Sequence, residues 1–231
     1  HLERDVRILW YEFEVEEDEI ITLQGNALLS AGLCDLLGGY PLLDAWLAPP
    51  AQPLSKLPDY EGKSKLDRKR MVELAPLSVT RPYLASRLGI IAHPRAGGVI
   101  SSIDDLKGVR TAAEFKSLGA LILWQHNGGE FIDDLVTVRV KDGLFKSMDA
   151  NVADATIAEV HRFERYRFQH AETKLKWTGY THPEAYNFAF AALAASKELL
   201  GDVDQALAKM AADGTLATIG ERNAITYFQP Q

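Results

Sequence analysis

The chain has 231 residues, with 25 Lys and Arg against 32 Asp and Glu for a net charge of −7, and a pI near 5.4. At 47% hydrophobic and 25% charged it has the composition of a globular protein able to bury a core, not of a disordered or fibrous one. Basic residues are scattered apart from Asp67-Arg68-Lys69-Arg70, so no nucleic-acid surface is expected, and no apolar run approaches the roughly 20 residues that span a bilayer.

The N-terminus His1-Leu2-Glu3-Arg4-Asp5 lacks the basic and apolar regions of a signal peptide, so the expectation is a soluble, non-membrane chain whose export signal is absent or already removed. Val6 to Phe13 reads as a strand with apolar residues on both faces. Asp18 is placed to cap a helix from about Glu19 to Ala31, with Gly32 as its terminator. Leu33 to Leu37 then reads as a short buried strand ending at Gly38-Gly39. It contains Cys34, the single cysteine, which excludes an internal disulfide and, in this apolar setting, reads as an inert core thiol. From 41 to 80 the chain makes a long irregular insertion that opens with a proline-rich stretch holding Trp46 and Leu47.

A regular series follows. Leu88 to His93 is a strand; Ser102 caps one helical turn that Gly108 stops; Val109 to Ala113 is a strand and Ser117 to His126 a helix. Leu135 to Val140 is a β-branched strand, followed by a helix over Gly143 to Ala150, a strand over Asp154 to Ala158, a helix over Glu159 to Gln169 and a strand over Lys174 to Thr178. Asn187 to Leu193 alternates Phe and Ala as a strand would. Ser196 then caps an amphipathic helix ending at Asp213-Gly214, whose core face is Leu199, Leu200, Val203, Leu207 and Met210. Strand and helix alternation of this kind calls for α/β architecture, a parallel sheet covered on both faces.

Several segments, in order, resemble extracellular solute-binding proteins of family 3, which have the type II periplasmic-binding-protein fold. They are Ala31 to Gly39, Arg81-Pro82-Tyr83-Leu84, Ile100 to Gly108, and Ala206 to Ile219 with its Ala211-Ala212-Asp213-Gly214-Thr215-Leu216. The resemblance implies two lobes, each a mainly parallel sheet flanked by helices, joined by two crossover strands near Leu88 to His93 and Asn187 to Leu193. Lobe one would hold 1–91 and 188–231 with the insertion 41–80, and lobe two 92–187. The family normally begins with a strand and helix ahead of Val6, so His1 to Asp5 reads as the tail of such a helix. The insertion stands where relatives carry an arginine that grips a ligand carboxylate, a role open to Arg68 or Arg70.

Trp10-Tyr11, the Gly32 to Asp35 segment and Thr80-Arg81-Pro82-Tyr83 are also similar to a subgroup associated with pyrroloquinoline quinone (PQQ) dehydrogenases of methanol-oxidising bacteria. The resemblance therefore implies a periplasmic monomer that captures a small molecule. PQQ is its first ligand; the alternatives are binding of an amino acid or other small organic anion for an ABC importer, or a non-transport accessory role as an interaction protein of a quinoprotein dehydrogenase. Its partners would be an ABC permease, a TonB-linked uptake system or a quinoprotein dehydrogenase. No catalytic cofactor is implied; PQQ would be cargo.

In open parallel sheets, ligands bind outside the carboxyl ends of the strands, where helix N-termini offer unpaired N–H groups. That rule selects Gly39 and Tyr40, Glu114 to Ser117, Lys141, Glu159, and Trp177 with Thr178. Gly39 admits close backbone approach or is a plain turn. Tyr40 stacks on a ring or packs under the insertion. Lys116 and Ser117 suit an anion, while Ser117 is equally an ordinary helix cap. Lys141 is a ligand cation or a solvated turn residue. By the resemblance Glu159 corresponds to the acid that holds a ligand amine; a polyanionic ligand would require it to pair with Arg162 or stay at the rim. Trp177 offers a stacking face, and Arg81 grips a carboxylate or lies on the surface.

No metal site or enzyme is expected. His93, His126, His161, His170 and His182 lack metal-ligand spacing, and there is no G-x-S-x-G elbow, G-K-[ST] loop or G-x-G-x-x-G. The Arg- and Phe-rich segment His161 to His170 reads as a solvated amphipathic surface.

Overall fold

The computed structural model describes residues 5–12, 21–43, 53–62 and 70–231. They fall into two compact units. The first draws on His1–Ala85, Tyr186–Leu216 and Gln229–Gln231, the second on Ser86–Ala185 and Ala217–Phe228.

In the first unit, among the described residues of the strand expected over Val6 to Phe13, the ladder is β1 (Tyr11–Glu12), paired with β4 (Asp59–Tyr60); the Trp10 carbonyl extends it by accepting from the Glu61 N–H at 2.9 Å. Val6, Ile8 and Trp10 are exposed, and Phe13 lies outside the described residues. So do Asp18 and the start of the helix it was expected to cap. The helix α1 runs over Ile21–Ser30 and closes as expected. Gly32, at φ +68, donates to the Leu29 carbonyl at 3.0 Å and Leu33 to that of Leu28 at 3.1 Å, a left-handed termination suited to glycine. Because the helix exit uses Leu33, the next strand starts later, as β2 (Leu37–Pro41), and Gly38-Gly39 lie inside it.

The insertion carries more order than expected. It contains β3 (Leu54–Lys56), β4, β5 (Met71–Glu73) and β6 (Leu77–Val79), with β3 paired to β5. Leu57, Val72 and Leu74 pack with Ala27 and Leu28 of α1. Asn26 donates to the Ala75 carbonyl at 3.1 Å, and the Ser30 hydroxyl accepts from the Ala75 N–H at 2.9 Å. Trp46, Leu47 and Arg68 lie outside the described residues; Arg70 is exposed.

The second unit takes in most of β7 (Leu84–Ala92), β8 (Thr111–Glu114), α2 (Leu118–Gln125), β9 (Val136–Val138), α3 (Leu144–Asp149), β10 (Ala155–Glu159) and α4 (Val160–Gln169). β10 pairs parallel to β8, and β8 parallel to β9, while β7 joins antiparallel. Both faces are covered, as strand alternation dictates. Ile90, Ala113 and Ile157 face a core with Leu123 of α2. Ile91, Ala112 and Ala158 face one with Leu144 and Met148 of α3 and Phe163 of α4.

Where two strands were expected near 174–178 and 187–193, one 18-residue strand, β11 (Lys176–Leu193), runs through. Pro183 is compatible with extended backbone and does not break it. β7 and β11 each pass from one unit to the other. In the first unit β11 pairs antiparallel with β2 and β6, so the parallel pairings described belong to the second unit. The chain finishes with α5 (Lys197–Ala212) and α6 (Thr215–Arg222), and residues 217–228 group with the second unit. Leu200, Val203, Ala206 and Leu207 form the buried stripe of α5. Ser196 makes no side-chain cap bond. Nor does Ser102 cap its turn, Asp104–Leu106; instead Asp105 accepts from the Ser101 and Ser102 N–H groups at 2.8 and 2.9 Å.

Candidate ligand-binding site

The parallel strands β8 and β10 both end on a glutamate, Glu114 and Glu159, and both side chains are buried. Such carboxylates need compensation. It comes from Arg162 in the first turn of α4. Its Nη1 donates to Glu114 Oε1 at 3.0 Å and to Glu159 Oε2 at 3.2 Å, and its Nη2 to Glu114 Oε2 at 3.0 Å. Desolvation works against the guanidinium charge, but the bonds to both glutamates outweigh it and hold its pKa above the ordinary value. In this trio two negative groups face one positive.

Lys116 and Ser117 follow directly on Glu114. Ser117 acts as the N-cap of α2, its hydroxyl accepting from the Ala120 N–H at 3.0 Å. Lys116 is exposed at φ +61, with Nζ 5.4 Å from the centre of the Phe115 ring. The left-handed turn sends this cation out of the sheet just where the chain enters the helix. The strand ends therefore gather Glu114, Lys116, Ser117, Glu159 and Arg162 within the second unit.

Lys141 is exposed in the single turn Val140–Asp142. Trp177 is not a free stacking face. Its Nε1 donates to the Tyr180 carbonyl at 2.8 Å, it packs against the core that contains Phe163 and Leu175, and a Cβ at Gly89 would come within 2.6 Å of it.

In the first unit Tyr40 is buried with Leu29, Leu37 and Ala191, which raises its pKa by desolvation and removes it as a ligand-stacking ring. Arg81 is committed as well. Its backbone N–H donates to Asp204 Oδ1 at 2.6 Å, and its Nε and Nη2 to Oδ2 at 3.0 and 2.8 Å. It ties the segment before β7 to α5 and is not a free carboxylate grip. Gly39, at φ +75, donates its N–H to the Tyr83 hydroxyl at 2.9 Å, and no atom lies within 4 Å of where a Cβ would stand.

The sequence pointed to Glu114 as a strand-end residue and to Arg162 only as a partner for Glu159; it gave no sign that one arginine would serve both acids. A cavity of about 280 Å³, lined by Lys107, Arg110, Glu130 and Asp134 among others, lies at the amino end of β8, away from these groups.

No family model matches the chain and no curated protein sequence matches it. Solved structures do. The GluR0 ligand-binding core in complex with L-glutamate aligns with TM-score 0.60 at 15% identity, covering 87% of this chain and 76% of that one. The second substrate-binding domain of Lactococcus lactis GlnP, in an open conformation, aligns with TM-score 0.59 at 17% identity over 85% of this chain and 72% of that one. An amino acid ABC transporter substrate-binding protein of Streptococcus pneumoniae, AbpA, bound to L-arginine, aligns with TM-score 0.56 at 19% identity over 85% and 70%. The chain has the type II periplasmic-binding-protein fold. The neighbours that carry this fold are binding proteins and receptors, and no helix among the described residues is long and apolar enough to cross a membrane.

Proposed function

We propose that the protein captures a small amino-acid-like solute, without transforming it, and presents it to an ABC-type permease from the periplasm. The observation that carries the reading is the charged set at the carboxyl ends of β8 and β10, where buried Glu114 and Glu159 flank Arg162 beside Lys116 and the N-terminus of α2. A set with both signs suits a ligand with both signs: carboxylates receive an ammonium group, while the guanidinium, the lysine and the helix start receive a carboxylate. The fold agrees with this, since solved proteins that share it are described with L-glutamate and with L-arginine bound.

PQQ is a weaker candidate. None of the compared structures supports it, and two of the surfaces that would stack its rings, Tyr40 and Trp177, are packed into cores. Titrating the purified protein with the standard amino acids and with PQQ, followed by heat and tryptophan fluorescence, tests the choice. Saturable 1:1 binding of an amino acid, weakened in Glu159→Gln, is expected. Binding of PQQ alone, or of nothing, would sink the proposal.

A further inference from the structure

Away from the strand ends, at the C-terminal end of α2, three residues bring ligating atoms together. Asp104, His126 and Glu130 each offer one such atom, and these lie within 4.8 Å of one another. His126 Nε2 stands 2.8 Å from Asp104 Oδ1. Metal–ligand bonds of about 2.0–2.2 Å to nitrogen and oxygen require separations of roughly this size between neighbouring ligands. The imidazole is only 21% exposed, whereas the Asp104 side chain is 69% exposed, so one ligand is held by the protein and another is open to solvent. The ring of buried Phe131, 5.7 Å away, backs the imidazole.

A fourth donor is already in place. The Asn127 amide nitrogen reaches Asp104 Oδ1 at 3.1 Å and Glu130 Oε2 at 3.2 Å. Turning that amide over would direct its oxygen between the same two carboxylates, where a cation would sit. Lys107 Nζ occupies Glu130 Oε1 at 2.6 Å, but its side chain is 75% exposed and can swing away. Lys107 and Glu130 also line the cavity at the amino end of β8, which gives the cluster a solvent-open side.

We propose that Asp104, His126 and Glu130, with Asn127, form a binding site for a divalent transition-metal ion of the zinc type. One imidazole with carboxylate and amide oxygens favours such ions over calcium or magnesium, which prefer all-oxygen shells. The site is independent of the strand-end residues and of the ligand proposed for them.

Titrating the metal-free full chain with Zn²⁺ by calorimetry, and with Co²⁺ by visible absorption, tests it. One equivalent is expected to bind, with His126→Ala and Glu130→Gln each weakening it at least about tenfold. Lys107→Ala, which removes the competing cation, is expected to tighten it several-fold, and His182→Ala to leave it unchanged. Circular dichroism in chelator separates lost folding from lost ligands. Absence of stoichiometric binding, or binding unaltered in folded His126→Ala, would overturn the proposal.

Discussion

Arg162 sets the charge at the strand ends, because Glu114 and Glu159 are buried and hydrogen-bonded to the same guanidinium. Removing one partner of a buried ionic group is costly because it leaves the other charges uncompensated. The arginine side chain is 40% exposed, and water screens part of that loss. Arg162→Met is therefore expected to lower stability by about 2 kcal/mol, below the range for a fully buried pair. The urea midpoint should recover in part in Arg162→Met combined with Glu114→Gln, since one repelling carboxylate is then gone. Equal midpoints for the single and double variants would show that the acids do not repel. At this scale the sequence was informative about position and silent about partnership. Glu159 stood out as a strand-end acid, but Glu114 lies 48 positions from Arg162, and no local pattern encodes that pairing.

Among the elements, α2 shows how closely the second unit is packed. Gly119 has an ordinary helical backbone, yet a Cβ there would stand 2.1 Å from the Ile157 carbonyl oxygen of β10. The glycine is present so that helix and strand can approach. Gly119→Ala would gain about 1 kcal/mol of helix propensity and lose about 3 kcal/mol to overpacking. The expected outcome is a net loss near 2 kcal/mol, read from denaturant midpoints; a stabilised variant would show that α2 can lift off β10 without penalty. The helices of this unit and the strands β8 and β10 were legible from their apolar pattern, and three-residue β9 from the β-branched run around it. The first unit was harder to read. β3, β4, β5 and β6 have two or three residues each, too few for alternation to register; β3 and β5 pair beside α1, β4 pairs with β1 and β6 with β11, all partners distant in the chain. Likewise nothing local announced that β11 would stay extended from Lys176 to Leu193.

For the whole molecule, the alternation of strands and helices announced α/β architecture, while the two crossings were expected only from the resemblance of ordered segments to type II periplasmic-binding proteins, a fold the solved structures bear out. Neither could specify which polar groups would be consumed in holding each unit together. Arg81 looked available to a ligand until Asp204, 123 positions away, took it. In each unit an aspartate is held by arginine with its pKa lowered. In the first, Asp204 is held below the usual carboxylate range by its hydrogen bonds with Arg81. In the second, desolvation works to raise the pKa of Asp154, and the bonds from Arg110 and Arg95 outweigh it and lower it. A folded-state pKa below the unfolded one gives stability that is present above the unfolded value and lost as pH falls through the folded one. With unfolded aspartate near about 3.9, both contributions should be intact at neutral pH and disappear below about pH 4. Asp154→Asn and Asp204→Asn should each be less stable than the parent at neutral pH, with the gap closing as the buffer is taken below about pH 4. Urea midpoints measured across that range check the sign: a gap that stays constant with pH would mean that the arginines support these positions by packing and not through the ionised carboxylates.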